Sequence, residues 1–231
     1  MPDVLIVAAT RKSRPQFERS SFLGASLRRL AFDHRIESSI SYKNTDGLSG
    51  VFNRQITKTN RRKILVFTHD DVRIDDYWFS RRLDEGLRSF DILGVAGNRR
   101  RIAGQPSWAF APSGRWDKAE NLSGAVAHVE RSRELVSFYG NPGEKCRSLD
   151  GVLLVAKASV LIDCGLRFDE QFEFHFYDLD FCRSAESCGL TLGTWPIALT
   201  HGSGGSFNSP DWRRGLKLYR RKWNEERRSR R

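Results

Sequence analysis

Short apolar runs that end in polar residues alternate with helix-periodic stretches along most of this chain, and this alternation constrains the fold most. The runs at 4–9, 64–67 and 91–97 are rich in Val, Ile and Leu, and a stretch with apolar residues at helical spacing follows the first two. Strands that alternate with helices predict an α/β fold, with a mainly parallel central sheet and helices on both faces. Ligands of such sheets bind at the carboxyl ends of the strands, where the polar clusters of this chain fall.

Length and composition predict one folded domain with a distinct tail. A chain of 231 residues with 39% hydrophobic content can form one core, so we expect a domain over 1–210 and a tail over 211–231. No basic segment precedes the first apolar run, and no run approaches the roughly 20 residues that cross a bilayer, which predicts a cytoplasmic protein. The cysteines form no C-x-x-C pair and are interpreted as reduced thiols: Cys146, Cys164, Cys182 and Cys188.

The tail concentrates the positive charge of the chain. Its 21 residues contain ten Lys/Arg and three Asp/Glu, within a net charge of +11 for the whole sequence. Four apolar residues are spaced as one stripe of a helix, which predicts a basic amphipathic helix: Trp212, Leu216, Tyr219 and Trp223. Such a helix could contact an anionic membrane, bind nucleic acid, or pack its stripe on its own domain, and the sequence leaves these three alternatives open.

The segment Thr68-His69-Asp70-Asp71 is the strongest chemical signal. It ends an apolar strand, and three ionisable groups there need a compensating charge if they are buried. A divalent cation accepts both carboxylate oxygen and imidazole nitrogen, and His69 and Asp71, two residues apart, can face the same side. The alternative interpretation is that these residues only cap or solvate the end of the strand.

Two further clusters lie later in the chain. Asp178 and Asp180 are embedded in the aromatic segment 174–181 beside a predicted helix start. A partly desolvated Asp can act as a general base, whereas an Asp that only caps a helix is the alternative. His201 ends a late strand and precedes the Gly/Ser segment 202–206, which suits a loop that closes over a ligand.

The order of these segments resembles the family 2-like GT-A glycosyltransferases, in particular a bacterial branch with H-x-D in place of D-x-D. The resemblance covers roughly residues 4–206 and rests on five segments: SYKNTDGLSGVFNRQI, ILVFTHDDV, LDGVLLVAKASVL, LRFDEQFEFHFYDLDFC and ALTHGSGGS. It implies a single GT-A, Rossmann-like domain.

The resemblance also implies a role for individual residues. The metal, Mn²⁺ or Mg²⁺, is expected on Asp71, His69 and His201, and Asp178 matches the catalytic base of inverting members, with Tyr177 where the family has Glu. Contacts to the nucleotide are expected from Thr10, Arg11, Asn44, Asn53 and Asp70, with Arg11 or Arg99 bracing the phosphates. Contacts to the acceptor are expected from Trp108, Asp150, Gly151, Tyr177 and Asp180.

The resemblance implies transfer of a sugar from a nucleotide-diphosphate sugar, UDP-sugar first among them, to a glycan or a lipid-linked acceptor. Peripheral contact with the inner face of a membrane through the tail fits such an acceptor, and nucleic acid is not an expected partner. Two alternatives stay open: a catalytically silent module whose basic tail binds nucleic acid or an anionic membrane, and a nucleotidyltransferase.

Overall fold

The structure is a computed structural model that describes residues 3–130, 133–203 and 207–225. In these ranges the chain forms a mixed α/β fold with two sheets. The strands are β1 Val4–Ala9, β2 Ile36–Ser41, β3 Ile64–Thr68, β4 Val72–Ile74, β5 Ile92–Gly94, β6 Ala96–Asn98, β7 Leu122–Glu130, β8 Arg133–Gly140, β9 Lys145–Cys146, β10 Ser148–Leu149, β11 Leu153–Lys157, β12 Leu192–Thr194 and β13 Leu199–His201. The helices are α1 Arg14–Ser20, α2 Phe22–Arg29, α3 Leu48–Asn53, α4 Phe79–Gly86, α5 Ala158–Asp163, α6 Tyr177–Ser187 and α7 Pro210–Lys222.

The first sheet has the strand order β2-β1-β3-β11-β5-β12-β9. Five of these strands run in one direction, but β11 is antiparallel to both of its neighbours and β9 is antiparallel to β12. The sheet is therefore mixed, and not mainly parallel as the sequence predicted. The reason is the path of the chain, which returns from the second sheet at the carboxyl end of β3, so that Leu153 pairs with Thr68 and β11 runs backwards.

The second sheet joins the first at the end of β3. Its path is β10-β6-β7-β13-β4, and β8 pairs with the other edge of β7. Only residues 69–71 separate β3 from β4, and His201 at the end of β13 pairs with Val72 at the start of β4. The two sheets therefore meet where the sequence places its strongest polar cluster.

An aromatic core lies under this junction. The rings of Phe168 and Phe181 stack with centroids 4.1 Å apart, and Phe67 and Phe52 each lie within 5.2 Å of Phe168. All four side chains are almost fully buried, so their packing is expected to stabilise both β3 and α6. Within the described residues, no helix has the length and apolar character that crossing a membrane requires.

Helix α7 packs its apolar stripe against the domain. Tyr219 is 3% exposed, and the ring of Trp212 lies 5.4 Å from that of Phe176. Of the three alternatives for the tail, residues 210–223 adopt the third and pack on their own domain. The basic end of the tail, 226–231, lies outside the described residues.

An ion pair between the buried Asp180 and the partly exposed Lys222 anchors the end of α7. Asp180 is 1% exposed and accepts hydrogen bonds from Lys222 Nζ at 2.8 Å and from Trp223 Nε1 at 2.9 Å. Asp169 also accepts from Lys222 at 2.7 Å. Asp180 was expected to contact the acceptor. Its carboxylate instead lies under α7 and is occupied by Lys222 and Trp223.

Replacing Lys222 by methionine is expected to lower the free energy of unfolding by about 2 kcal/mol, because it leaves the Asp180 carboxylate buried without its counter-ion. This is less than the roughly 3–5 kcal/mol of a fully buried pair, since the Lys222 side chain is 31% exposed. Burial already raises the pKa of Asp180 against the opposing effect of Lys222, so the loss should be larger at pH 8 than at pH 5. Urea unfolding at both pH values measures it. Lys217→Met, on the exposed side of the same helix, is the control; equal effects of the two variants would contradict the anchoring role.

Candidate functional site

The three predicted metal ligands come together at the junction of the two sheets. His69 and Asp71 lie between β3 and β4, and His201 ends β13. One potential ligand atom from each of the three residues lies within 4.8 Å of the other two. The backbone N–H of Gly202 donates to the carbonyl of Asp71 at 2.8 Å, and this bond ties the two segments to each other. Residues 132 positions apart in the sequence therefore form one cluster, which we call the His-Asp-His cluster.

The electrostatics of the cluster favour an ionised carboxylate. Burial alone would raise the pKa of Asp71, but a hydrogen bond and the charge of His201, together with His69, hold it well below its usual range. Burial lowers the pKa of His201, yet the Asp71 carboxylate, 3.5 Å from its Nε2, raises it overall. Burial lowers the pKa of His69, so that ring stays neutral at pH 7. A neutral imidazole and an ionised carboxylate are the forms that bind a cation.

Tyr177 fixes which nitrogen of His69 carries the proton. The Tyr177 hydroxyl donates to the carbonyl of Gly151 at 2.8 Å and lies 2.8 Å from His69 Nε2. Because a hydroxyl has one proton and a carbonyl can only accept, Nε2 of His69 must be the donor in the second bond. Burial raises the pKa of Tyr177 well above its usual value, so the hydroxyl keeps its proton. The lone pair of His69 is therefore on Nδ1, free for a metal.

Asp178 lies beside this network at the start of α6. Its carboxylate accepts from the backbone N–H of Gly151 at 3.1 Å and from its neighbour Leu179 at 2.9 Å. Burial and the nearby charge of Asp150 raise the pKa of Asp178 to about 7. The alternative that one of the two aspartates caps the helix is not what the structure has, because Phe176, at φ 68°, occupies the N-cap. Asp178 thus changes its protonation near neutral pH, as a general base must.

Gly151 allows this close approach. Its carbonyl and its N–H contact Tyr177 and Asp178 respectively, and a Cβ atom at this position would collide with the Tyr177 hydroxyl. Asp150 precedes it, and its carboxylate accepts from the N–H of Val152 at 3.1 Å. The structure therefore brings both residues, which the sequence assigned to the acceptor side, to the site.

A cleft of about 730 Å³ opens beside the His-Asp-His cluster. Four of the five residues predicted to contact the nucleotide line it: Thr10, Arg11, Asn44 and Asp70. The Thr10 hydroxyl donates to the Asp70 carboxylate, and the backbone N–H of Asn44 donates to the Thr10 carbonyl at 2.9 Å. These bonds connect β1, the loop after β2 and the loop after β3 around one space.

Three cations border this cleft. Lys12 Nζ lies 3.5 Å from Asp70, whereas Arg11 and Lys43 form no ion pair within the described residues. Lys12 and Lys43 were not predicted, since single lysines in loops carry no pattern that distinguishes them from other surface lysines. Phe174 was not predicted either; it is 53% exposed, lines the cleft and stacks on the His69 ring at 5.8 Å. The only sequence signal for Phe174 was the aromatic segment that contains it.

Three predicted residues lie away from the cleft. Asn53 holds the segment after α5, since its amide donates to the Phe168 carbonyl at 2.8 Å and accepts from the Phe168 N–H at 2.9 Å. Trp108 is 7% exposed and packs edge-on against Tyr139 at 5.0 Å. Arg99 borders a separate groove of about 670 Å³ and lies 3.4 Å from Glu144. Asn53 and Trp108 are thus parts of the folded framework.

Two residues of the second sheet extend the site and were not predicted. The ring of His128, on β7, lies 5.9 Å from that of His201, and Tyr139, on β8, lies with its hydroxyl 3.4 Å from His128 Nε2. Both residues lie on the β7–β8 hairpin, and the pairing of β13 with β7 brings His128 near His201.

Comparison with known proteins gives a structural likeness only. No family model and no curated protein matches the sequence. Among solved structures, the crystal structure of A197 from STIV resembles this chain with a TM-score of 0.48 and 9% identity, over 85% of this chain and 82% of that one. A likeness of this degree carries no argument about activity.

Proposed function

We propose that the chain is a metal-dependent glycosyltransferase with a GT-A-like fold that uses a nucleotide-diphosphate sugar as donor. The observation that carries this proposal is the position of the His-Asp-His cluster, which is linked to the cationic cleft on one side and to Asp178 through Tyr177 on the other. The donor phosphates, the cation and the base would then lie next to one another in that order. The five co-directional strands of the first sheet support the GT-A-like assignment.

The donor set of the cluster fits a divalent transition metal. Two imidazole nitrogens and one carboxylate oxygen suit Mn²⁺ better than Mg²⁺, which prefers oxygen ligands. His69 would bind through Nδ1 and Asp71 through its ionised carboxylate. When bound, the ion would offset the negative charge that develops on the diphosphate leaving group.

The cleft residues would hold the donor. Arg11, Lys12 and Lys43 offer three positive charges to a diphosphate, and Arg11 and Lys43 are not neutralised by a described carboxylate. Charge-assisted hydrogen bonds from such side chains to phosphate are about twice as strong as neutral ones. A UDP-sugar is the donor that we infer first, by the resemblance described above.

Asp178 would act on the acceptor. Its carboxylate would take the proton of the acceptor hydroxyl while that oxygen forms a bond to the anomeric carbon. The bond from that carbon to the diphosphate oxygen would break at the same time, and the electron pair would leave with the diphosphate. One displacement of this kind inverts the anomeric configuration, and a pKa of about 7 suits the proton transfer.

The acceptor is proposed to be a glycan or a lipid-linked glycan at the cytoplasmic face of a membrane. Because the apolar stripe of α7 packs inward, membrane contact would depend on the charged outer side of the helix, which exposes Arg213, Arg214, Lys217 and Arg221. The alternative of a catalytically silent module whose basic tail binds nucleic acid or an anionic membrane would use the same charged side and stays open.

A panel of UDP-, GDP- and dTDP-sugars tests the proposal. With Mn²⁺ and a mixture of oligosaccharide and membrane-lipid acceptors, the purified chain is expected to release the nucleoside diphosphate from one donor class, and EDTA should abolish the release. No release from any donor with Mn²⁺ would contradict the proposal.

Tyr177→Phe is expected to weaken Mn²⁺ binding about 10–100-fold, because it removes the bond that fixes the tautomer of His69. Isothermal titration with MnCl₂ measures the affinity. Phe174→Leu, which also contacts the His69 ring but makes no hydrogen bond to it, is the matched control. An affinity in Tyr177→Phe equal to that of the wild type would show that the hydroxyl does not position the ligand.

A further inference from the structure

Six aromatic side chains, none of which lines the cleft, form a continuous series. We call this series the aromatic band: Tyr139, Trp116, Phe110, Phe207, Trp212 and Phe176. Neighbouring ring centroids in that order are 5.7, 5.3, 5.1, 6.4 and 5.4 Å apart. The band joins residues from β8, the loop 99–121, the start of α7 and the segment before α6, so only the folded chain creates it.

Both ends of the band reach the proposed transfer site. At one end the Tyr139 hydroxyl lies 3.4 Å from Nε2 of His128, and the ring of His128 lies 5.9 Å from that of His201. At the other end Phe176 directly precedes Tyr177 and Asp178. A molecule on Trp116, which stacks on Tyr139, would therefore lie near the His128 and His201 rings.

The cleft lies on the other side of the cluster. Phe174, which lines the cleft, stacks on the His69 ring, and the ring of His69 lies 5.9 Å from that of His201. The order is thus cleft, His69, His201 and band. Because the donor is proposed to fill the cleft, a second substrate would reach the cluster from the Tyr139 end of the band, through His128 and His201.

Two rings of the band are open to solvent. Trp116 is 58% exposed and Phe207 is 48% exposed. Tyr139 stacks on Trp116 with an interplanar angle of 19°, so the exposed surface of the indole lies on its other face and its edge. Phe110 meets the indole at 83° and supports it from the side. The indole is thus held as a flat platform.

A flat and half-exposed aromatic surface suits a sugar. A pyranose has one face rich in C–H bonds, which the negative face of an aromatic ring attracts, while its hydroxyl groups stay hydrated at the rim. A lipid chain instead requires an apolar groove that removes it from water. Here exposed polar residues lie close to the rings in the sequence, among them Arg115, Lys118 and Asp211.

We propose that the aromatic band is the acceptor subsite and that it binds a carbohydrate, with Trp116 and Phe207 as the stacking platforms. This proposal rests on the proposed transferase function for the identity of the sugar as acceptor. Binding of a saccharide to the band is nevertheless a separate property, which can be measured without the donor.

A printed array of neutral and acidic oligosaccharides, probed with the labelled full-length chain, tests the proposal. Retained saccharides are then titrated against the wild type and three variants. Affinity is expected to fall about 10-fold or more in Trp116→Ala and to fall in Phe207→Ala. Trp78→Ala is the matched control, since Trp78 is 65% exposed and lies outside the band, and it should bind as the wild type does.

Three results would overturn the carbohydrate subsite. They are an array on which no saccharide is retained, an affinity that Trp116→Ala does not change, and Trp116-dependent binding to phosphatidylglycerol vesicles in place of saccharides. Titration of the wild type with UDP, GDP and dTDP, each with Mn²⁺, separates this proposal from the previous one. Saccharide binding without nucleotide binding would reject the transferase and keep the subsite, and the reverse would reject the subsite alone.

Discussion

Asp71→Ala is expected to weaken Mn²⁺ binding by more than about 100-fold and to remove metal-dependent binding of the donor. The loss should exceed the 10–100-fold typical of a residue that only positions a ligand, because Asp71 supplies the single carboxylate of the His-Asp-His cluster. The change also removes the partner that raises the pKa of His201, so that ring loses its proton more readily in the variant and the lost affinity reports the missing carboxylate. Titration with MnCl₂, then with UDP in its presence, measures both losses.

Asp163→Ala is the matched control for this variant. Asp163 pairs with Arg61 at 2.8 Å and follows β11 at the opposite end of the first sheet from Thr68. It should bind Mn²⁺ and UDP as the wild type does. Unchanged Mn²⁺ affinity in Asp71→Ala would show that the His-Asp-His cluster is not the metal site, whichever nucleotide is the donor.

Asp178→Asn is expected to lower the rate of sugar transfer by about 10²–10⁴-fold while it leaves Mn²⁺-dependent binding of UDP intact. The amide cannot accept the proton of the acceptor hydroxyl, but Asp178 contacts neither the cleft nor the three ligands of the cluster in the described hydrogen bonds. In the wild type, transfer should rise with pH through about 7 and then level off, because the ionised form is the active base. The variant should lose this dependence.

Stability gives an independent readout of the same carboxyl group. The pKa of Asp178 is higher in the folded chain than in the unfolded chain, so the folded state binds more protons between about pH 4 and 7. Its contribution to stability is therefore present at low pH and is lost as the pH rises through about 7. The fall in Tm between pH 5 and pH 8 should be smaller in Asp178→Asn. Normal transfer by the variant would exclude Asp178 as the base.

The sequence was informative where an apolar strand ends in ionisable residues. The run 64–67 followed by His69 and Asp71 predicted both a buried strand and a polar site at its end, and the structure has β3 and the cluster there. Asp178 was found in the same way, from a carboxylate in aromatic surroundings. Such local patterns are informative because the apolar residues that will be buried beside the polar group can be recognised in the sequence.

The sequence could not predict the direction of each strand or the contacts between distant segments. The run at 153–157 looks the same whichever way its strand points, so the reversed β11 was not predictable. Asp180 and Asp178 carry identical side chains two residues apart, yet Lys222 and Trp223 occupy the first and leave the second at the site. His128 joins His201 only through the pairing of distant strands. Each case depends on contacts between segments that are far apart in the chain.

The most direct test of the central claim is calorimetric titration of the wild-type chain with UDP, GDP and dTDP, each in MnCl₂ and in EDTA. One of these nucleotides, UDP first, is expected to bind with Mn²⁺ and to bind at least about 10-fold more weakly in EDTA, since the cluster would hold the ion beside the diphosphate. Equal affinity in EDTA, or no binding of any of the three with Mn²⁺, would contradict a metal-dependent donor site.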